Sequence, residues 1–321
     1  MPEFCRHGRF VQNCRICSPP AQGTPARSGG RSSGATGTAS TPRSSSASRP
    51  RSGGLVVRRA ARAADDGYAS HLIPGVRASA DAQRLADEVA FAVTRLDELA
   101  TDPPGLYAQV AAAPDHEEGT WLALLITYLS PTAEAPFAGP AAADAQASWA
   151  SGEIPDLADL PRGPRTSHDT ARGQETLQAY RAWAARHGGQ EAAFTGDADW
   201  GPQRRFARIF ERLALPGLGR AGRYELLVAL GRLGLYDLDP AALQVDGDAT
   251  TLAAKRVLGI GDRINLERRA AALAEGLDIP MAALDLALFN WSQPITERAT
   301  MGSRADPAPA LRELLGEALG L

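Results

Sequence analysis

The sequence predicts an all-α body. After Asp65 the chain turns into Ala/Leu-rich segments with 3.6-residue apolar periodicity, Gly and Pro punctuate the stretches between them, and no run of alternating β-branched residues is long enough for a sheet. The chain has 321 residues, 32 of them Gly and 23 Pro, with 44% apolar residues, so part of it is expected to lie outside any core.

Taken in order, the periodicity places helices at Ala78 to Leu99, Thr120 to Leu129, Gly173 to His187, Pro202 to Leu213, Ala221 to Leu233, Ala249 to Leu258, Asn265 to Glu275, Pro280 to Asn290 and Ala308 to Leu319. With shorter pieces this makes about nine or ten helices. Asp102-Pro103-Pro104, Pro131, Gly139-Pro140, Pro161 to Pro164, and Gly217 with Gly219 supply the loops between them. Ahead of this body, taken as residues 64–321, lie two segments of different character.

Residues 1–17 read MPEFCRHGRFVQNCRIC. Cys5, His7, Cys14 and Cys17 provide three thiolates and one imidazole, a complete tetrahedral shell for structural zinc, with no open position for catalysis. A redox CxxC would start a helix in a βαβ context, which is absent. Unligated surface thiols are the alternative, although so small a core could hardly order itself without metal. All three cysteines of the chain lie here, so no disulfide staples the body and no iron–sulfur cluster has ligands there.

Residues 18–63 are almost entirely Ser, Gly, Pro, Thr, Ala and Arg, a composition that builds no core and predicts a disordered basic linker. It is either a loose, sequence-independent tether to a polyanion or a solubilising spacer. The charge division is sharp: residues 1–64 hold 11 Arg against the single acid Glu3, while the rest of the chain is net acidic, giving −3 overall. Lys255 is the only lysine. No stretch of about 18 apolar residues and no signal-type leader is present, so a cytoplasmic, membrane-free monomer is expected.

The chemistry concentrates between Pro202 and Trp291. Leu215-Pro216-Gly217-Leu218-Gly219-Arg220 ends one helix and opens the next, and its two glycines leave amide N–H groups uncovered at a helix N-terminus, a place for a phosphate oxygen flanked by Arg220 and Arg223. A plain helix–helix connection is the alternative. Farther on comes Val245-Asp246-Gly247-Asp248-Ala249-Thr250-Thr251, continuing to Leu258-Gly259.

This pattern resembles the helix-hairpin-helix superfamily of base-excision DNA glycosylases, where L-P-G-x-G is followed by a catalytic aspartate that opens a helix. The family register, ten residues before the Leu-Gly pair, selects Asp248; the Val-Asp dipeptide selects Asp246. Asp248 is favoured because it suits an N-cap ahead of Ala249-Thr250-Thr251. The segment from Trp121 to Ser130 looks like the early core helix of that fold, and DLALFNW from Asp285 to Trp291 looks like its late helix. The Cys-rich N-terminus and the Phe289-Asn290-Trp291-Ser292 ending resemble more closely the family named alpha-glutamyl/putrescinyl thymine pyrophosphorylases, linked to hypermodified phage bases. Its relatives include a glycosylase that excises glucosylated hydroxymethylcytosine from phage DNA.

The resemblance implies a monofunctional glycosylase acting on double-stranded DNA with a bulky modified pyrimidine, an antiviral activity that leaves abasic sites. Asp248 or Asp246 would work beneath the sugar, Gly217, Gly219, Arg220 and Arg223 would anchor DNA, and Tyr128, Trp121, Trp291 and Asn290 would border the base. Where bifunctional relatives carry a Schiff-base lysine this chain has Ala221, so no lyase step and no catalytic cofactor are expected. Arg204, Arg205, Arg208, Arg212, Arg220, Arg223 and Arg232 are expected to offset the acidic body near the hairpin. His168 with Asp169 reads as an exposed loop or an N-cap, with a polar pair over the base or a metal-site fragment as the alternatives. Two rivals stand beside this reading: a transferase that modifies hydroxymethylpyrimidines in DNA, and a noncatalytic DNA-binding adaptor.

Overall fold

The computed structural model describes residues 62–321; Cys5, His7, Cys14, Cys17 and nearly all of the basic linker lie outside the described residues. Among the described residues there are twelve α-helices and no strand. They are α1 (Ser79–Thr101), α2 (Leu106–Ala111), α3 (His116–Leu129), α4 (Ala138–Asp144), α5 (Gly173–Arg186), α6 (Gln190–Thr195), α7 (Pro202–Arg212), α8 (Arg220–Arg232), α9 (Ala249–Leu258), α10 (Arg263–Gly276), α11 (Met281–Ser292) and α12 (Pro309–Leu319). The nine helices read from periodicity are all present. The additional α2, α4 and α6 are too short, at six or seven residues, for an apolar stripe to repeat. α3 begins earlier than its apolar run because Asp115 caps it, accepting the Glu117 amide at 2.8 Å.

Three helices form the interior. α11 is buried along its whole length and α3 from Gly119 to Leu129, as expected of helices apolar on nearly every face, and α8 is buried from Gly222 to Leu230 with Arg223 and Glu225 among the enclosed residues. α1 packs against α11, α12 and α8; α8 packs against α3 and α7; α9 and α10 cover the other flank of α11. No helix among the described residues is long and apolar enough to cross a membrane.

One extended segment matters as much as the helices. After α4 the chain returns along the end of α3, where the Gly163 amide donates to Leu129 and Ser130 carbonyls and the Ser167 amide to the Tyr128 carbonyl. A Cβ at Gly163 would stand 2.1 Å from the Pro131 carbonyl oxygen, so only glycine permits this approach. The consequence is that Arg165 enters the interior between α8 and α11.

Candidate functional site

The α7–α8 connection turns at Gly217, whose φ is +79°, and a Cβ there would sit 1.9 Å from Thr176 Oγ1. Gly219 differs from expectation: it is the extended N-cap of α8, with φ −65°, so its value is a bare helix start rather than a left-handed turn. The reach from α8 is inward. Arg220, on its first turn, is buried and sends its guanidinium to the Leu243 and Gln244 carbonyls and to two carboxylates, Asp285 at 2.5 Å and Asp248 at 3.3 Å. The Tyr224 ring lies under it at 4.5 Å.

Asp248 is the N-cap of α9. Its Oδ1 accepts from the Thr251 amide at 2.9 Å and the Thr251 hydroxyl at 2.7 Å, which leaves Oδ2 facing Arg220. Burial pushes the carboxyl up, but Arg220 and the two Thr251 donors outweigh it and hold Asp248 below the usual carboxylate range. The preceding strand-like turn is fixed from α10, where the Glu267 carboxylate accepts the Leu243 and Val245 amides, each at 2.8 Å. Asp246 stands outside this arrangement: its side chain is 69% exposed and meets Arg223 at 3.4 Å, whereas that of Asp248 is 20% exposed.

Behind Asp248 lies a buried set of charges. Asp285, in the middle of α11, forms an ion pair with Arg220 through one oxygen and accepts from Arg165 on the other; Arg165 Nε faces Glu225 of α8 at 3.4 Å. Burial pushes the Glu225 carboxyl up to about 7, with Arg165 opposing and Asp285 adding to the rise. Sequence reasoning did not single out Arg165, Glu225 or Asp285 as functional. A signal was present for Asp285, a lone charge in the otherwise apolar Met281-Ala282-Ala283-Leu284-Asp285-Leu286-Ala287-Leu288, because a carboxylate on a fully buried helix needs cationic partners.

The other expected site residues occupy different places. Trp121 is sealed in an aromatic cluster with Trp149 and Tyr180, its Nε1 bonded to the Ala147 carbonyl at 2.9 Å, with Arg181 against both tryptophan rings. Tyr128 ends α3 fully buried, edge-on to His168 at 5.5 Å. His168 is half-buried and is no helix cap; α5 starts beyond it with Arg172 as N-cap. The Trp291 indole bonds to the Asp81 carbonyl of α1 at 3.0 Å, and the Asn290 side chain brackets the Ala299 backbone, accepting its amide at 2.8 Å and donating to its carbonyl at 3.2 Å. Lys255 is half-buried on α9 rather than fully exposed.

The arginine set near the hairpin is thinner on the surface than its sequence suggests. Arg205, Arg220 and Arg223 are buried, and Arg205 alone spends its guanidinium on Thr195, Trp200 and Asp237. Arg204, Arg208 and Arg212 remain exposed along α7, because that helix buries Arg205, Phe206, Ile209 and Phe210 on its other face.

A family model described as alpha-glutamyl/putrescinyl thymine pyrophosphorylase clade 3 matches residues 164–298. The matched span starts one residue before Arg165 and contains Arg220, Glu225, Asp248 and Asp285, so Asp248 and all four charged groups buried behind it fall within it. No curated protein and no solved structure matches the chain.

Proposed function

We propose that this chain is an enzyme acting on DNA bases, a monofunctional glycosylase that removes a modified pyrimidine, with Asp248 as its working carboxylate. The observation that carries the reading is the state of Asp248: a helix-capping carboxylate, held ionised by Arg220 and Thr251, with part of its side chain open to solvent.

In base release the bond between the sugar C1′ and the base nitrogen breaks, its electron pair leaves with the base, and positive charge develops on the sugar ring. A fixed anion beneath that ring lowers the barrier, and a preorganised one needs no rearrangement as the charge appears. Asp248 fits this role better than that of proton donor, because its surroundings oppose protonation. Water then forms the new bond to C1′, and its proton passes to the departing base or to solvent. Ala221, not a lysine, follows Gly219-Arg220, so the abasic sugar is left in the strand without β-elimination.

Arg220 and Arg223 are assigned to orienting Asp248 and Asp246 rather than to the DNA backbone, since their guanidinium groups point to those carboxylates. Backbone phosphate contacts fall to the amides at the start of α8, after Gly217 and Gly219, and to Arg204, Arg208 and Arg212. Tyr128 and Asn290 are proposed to brace the base-binding region from within the core. The Cys5, His7, Cys14 and Cys17 set is proposed to hold structural zinc, and the basic linker to add loose DNA affinity in the cytoplasm.

A second reading is favoured by the description of the matched family, which names a pyrophosphorylase of modified thymine. There an amine would bond to the pyrimidine 5-methylene carbon as its bond to a diphosphate breaks, and pyrophosphate would leave. One experiment separates the two. Purified full-length protein is incubated with duplexes carrying ordinary, hydroxymethylated, glucosylated and diphosphorylated hydroxymethyl pyrimidines, with and without amines. Strand breaks after alkali that vanish in Asp248→Asn support excision. Pyrophosphate release with intact strands establishes transfer, and neither product on any duplex rejects both.

A further inference from the structure

We infer that Arg165 and Asp285 are positioning residues for Asp248, acting through Arg220; the inference rests on Asp248 being the working carboxylate.

Among the described residues Arg220 is the only cation paired with Asp248, and its planar fork has few ways to point. Nε faces the Gln244 carbonyl at 3.3 Å, and Nη2 reaches the Leu243 carbonyl and Asp285 Oδ1. With those directions taken, Nη1 is left for Asp248 Oδ2. Among the described residues Asp285 is therefore the one charged anchor on the inner side of the fork. Its second oxygen is held by Arg165, which arrives on the segment made possible by Gly163. An unbroken series of contacts runs from Arg165 through Asp285 and Arg220 to Asp248.

A buried ion pair is a weak device for stability, because an apolar residue of the same size fills such a site at less cost. What Asp285 supplies and a leucine in α11 would not is a fixed direction for Arg220. The charge balance agrees. Facing Asp285 are Arg220, Tyr224 and Glu225 from α8, and Arg165 from the extended segment, with Tyr107 of α2 near Arg165 and Glu225. Below about pH 7, where Glu225 is protonated and the tyrosines are neutral, two arginines are matched by Asp285 and Asp248.

The test uses the full-length protein labelled with carboxyl-¹³C aspartate, and follows the Asp248 resonance, identified by its loss in Asp248→Asn, through a pH titration. In Asp285→Asn the midpoint of Asp248 is expected to rise by about one pH unit, because Arg220 is no longer aimed at it. Removal of the Asp285 charge with Arg220 unmoved would lower that midpoint instead. A fall or no change therefore overturns the inference. If Asp285→Asn does not fold, Arg165→Lys serves, since it keeps the charge and loses only the geometry at Asp285: a rise in the Asp248 midpoint supports the inference, and an unchanged midpoint overturns it. On whichever duplex wild type opens, either variant is expected to lose at least about tenfold in kcat with KM within about threefold, the split expected when an interaction made in the transition state is weakened. A protein that opens no duplex removes the premise about Asp248, while the titration still decides whether the four residues are coupled.

Discussion

Arg220 and Asp248 meet at 3.3 Å across the boundary between interior and surface, the guanidinium sealed and the carboxylate 20% exposed. Each solves a problem for the other. Arg220 keeps Asp248 ionised against burial, and Asp248 joins Asp285 in neutralising a cation that has no access to water. A helix start is a favourable place for this carboxylate, because the first-turn amides and the macrodipole both prefer negative charge.

Asp248→Asn is expected to separate chemistry from folding. Asparagine is an equally good N-cap, so the Thr251 contact survives and the protein should still fold, with a lower melting temperature that reflects only the lost pairing with Arg220. Base release should fall by roughly 10²- to 10⁴-fold, the range for losing a charge aimed at the transition state. Asp246→Asn, at an exposed position, should cost about threefold or less. Single-turnover assays of both variants check this; equal losses would remove the distinction drawn here.

Glu225 sets a pH dependence of stability. Its folded value, about 7, lies above the ordinary one for an unfolded chain, so its contribution is complete below that ordinary value and is lost as pH rises through 7. Glu225→Gln mimics the protonated form. Its stability should match that of wild type near pH 5 and exceed it by on the order of 1–3 kcal/mol near pH 8. Denaturant titrations at both pH values measure the difference, and a gap that does not change with pH would contradict the account.

The two glycines of the hairpin should behave differently. Gly217→Ala combines a positive φ with a clash against Thr176 and is expected to cost about 2–4 kcal/mol. Gly219→Ala has an ordinary φ and nothing nearer than Ser167 Oγ at 3.9 Å, so its cost should stay under about 1 kcal/mol. Thermal melts of the pair check this directly.

Surface and interior arginines should separate by assay. Arg204→Ala and Arg208→Ala are expected to leave the melting temperature unchanged and to weaken DNA binding, each reducing the salt slope by about 0.9 if it meets one phosphate. Arg205→Ala breaks bonds to Thr195, Trp200 and Asp237, and should lower stability first. Binding isotherms at several salt concentrations, beside melts, test the division.

Much of the helical plan was legible because its signals are local. Asp248 ahead of Ala249-Thr250-Thr251 announces the start of α9 within a few residues, and the Leu215-Pro216-Gly217 turn marks the break before α8. Trp121 and Trp291 are candidates for the pocket, but aromatics at helical spacing are more often core; packing against Trp149 and Tyr180, and the bond to Asp81, place their rings in the interior. Nothing local distinguishes α2, α4 and α6 from loops, since so few turns show no period.

What the sequence determined by itself is the all-α body, its main helix starts, and the carboxylate that opens α9, all set by the conformational preferences of neighbouring residues. The direction of Arg220 was decided only in the tertiary structure. As part of a glycine-rich helix start it is equally compatible with pointing outward to a phosphate or inward to a carboxylate. It points inward because α11 brings Asp285 beneath it, and Asp285 is tolerated there because Arg165, 120 residues away in the chain, meets its other oxygen. Charges buried in a low-dielectric interior must find partners wherever the fold supplies them, and that pairing leaves no local trace in the sequence.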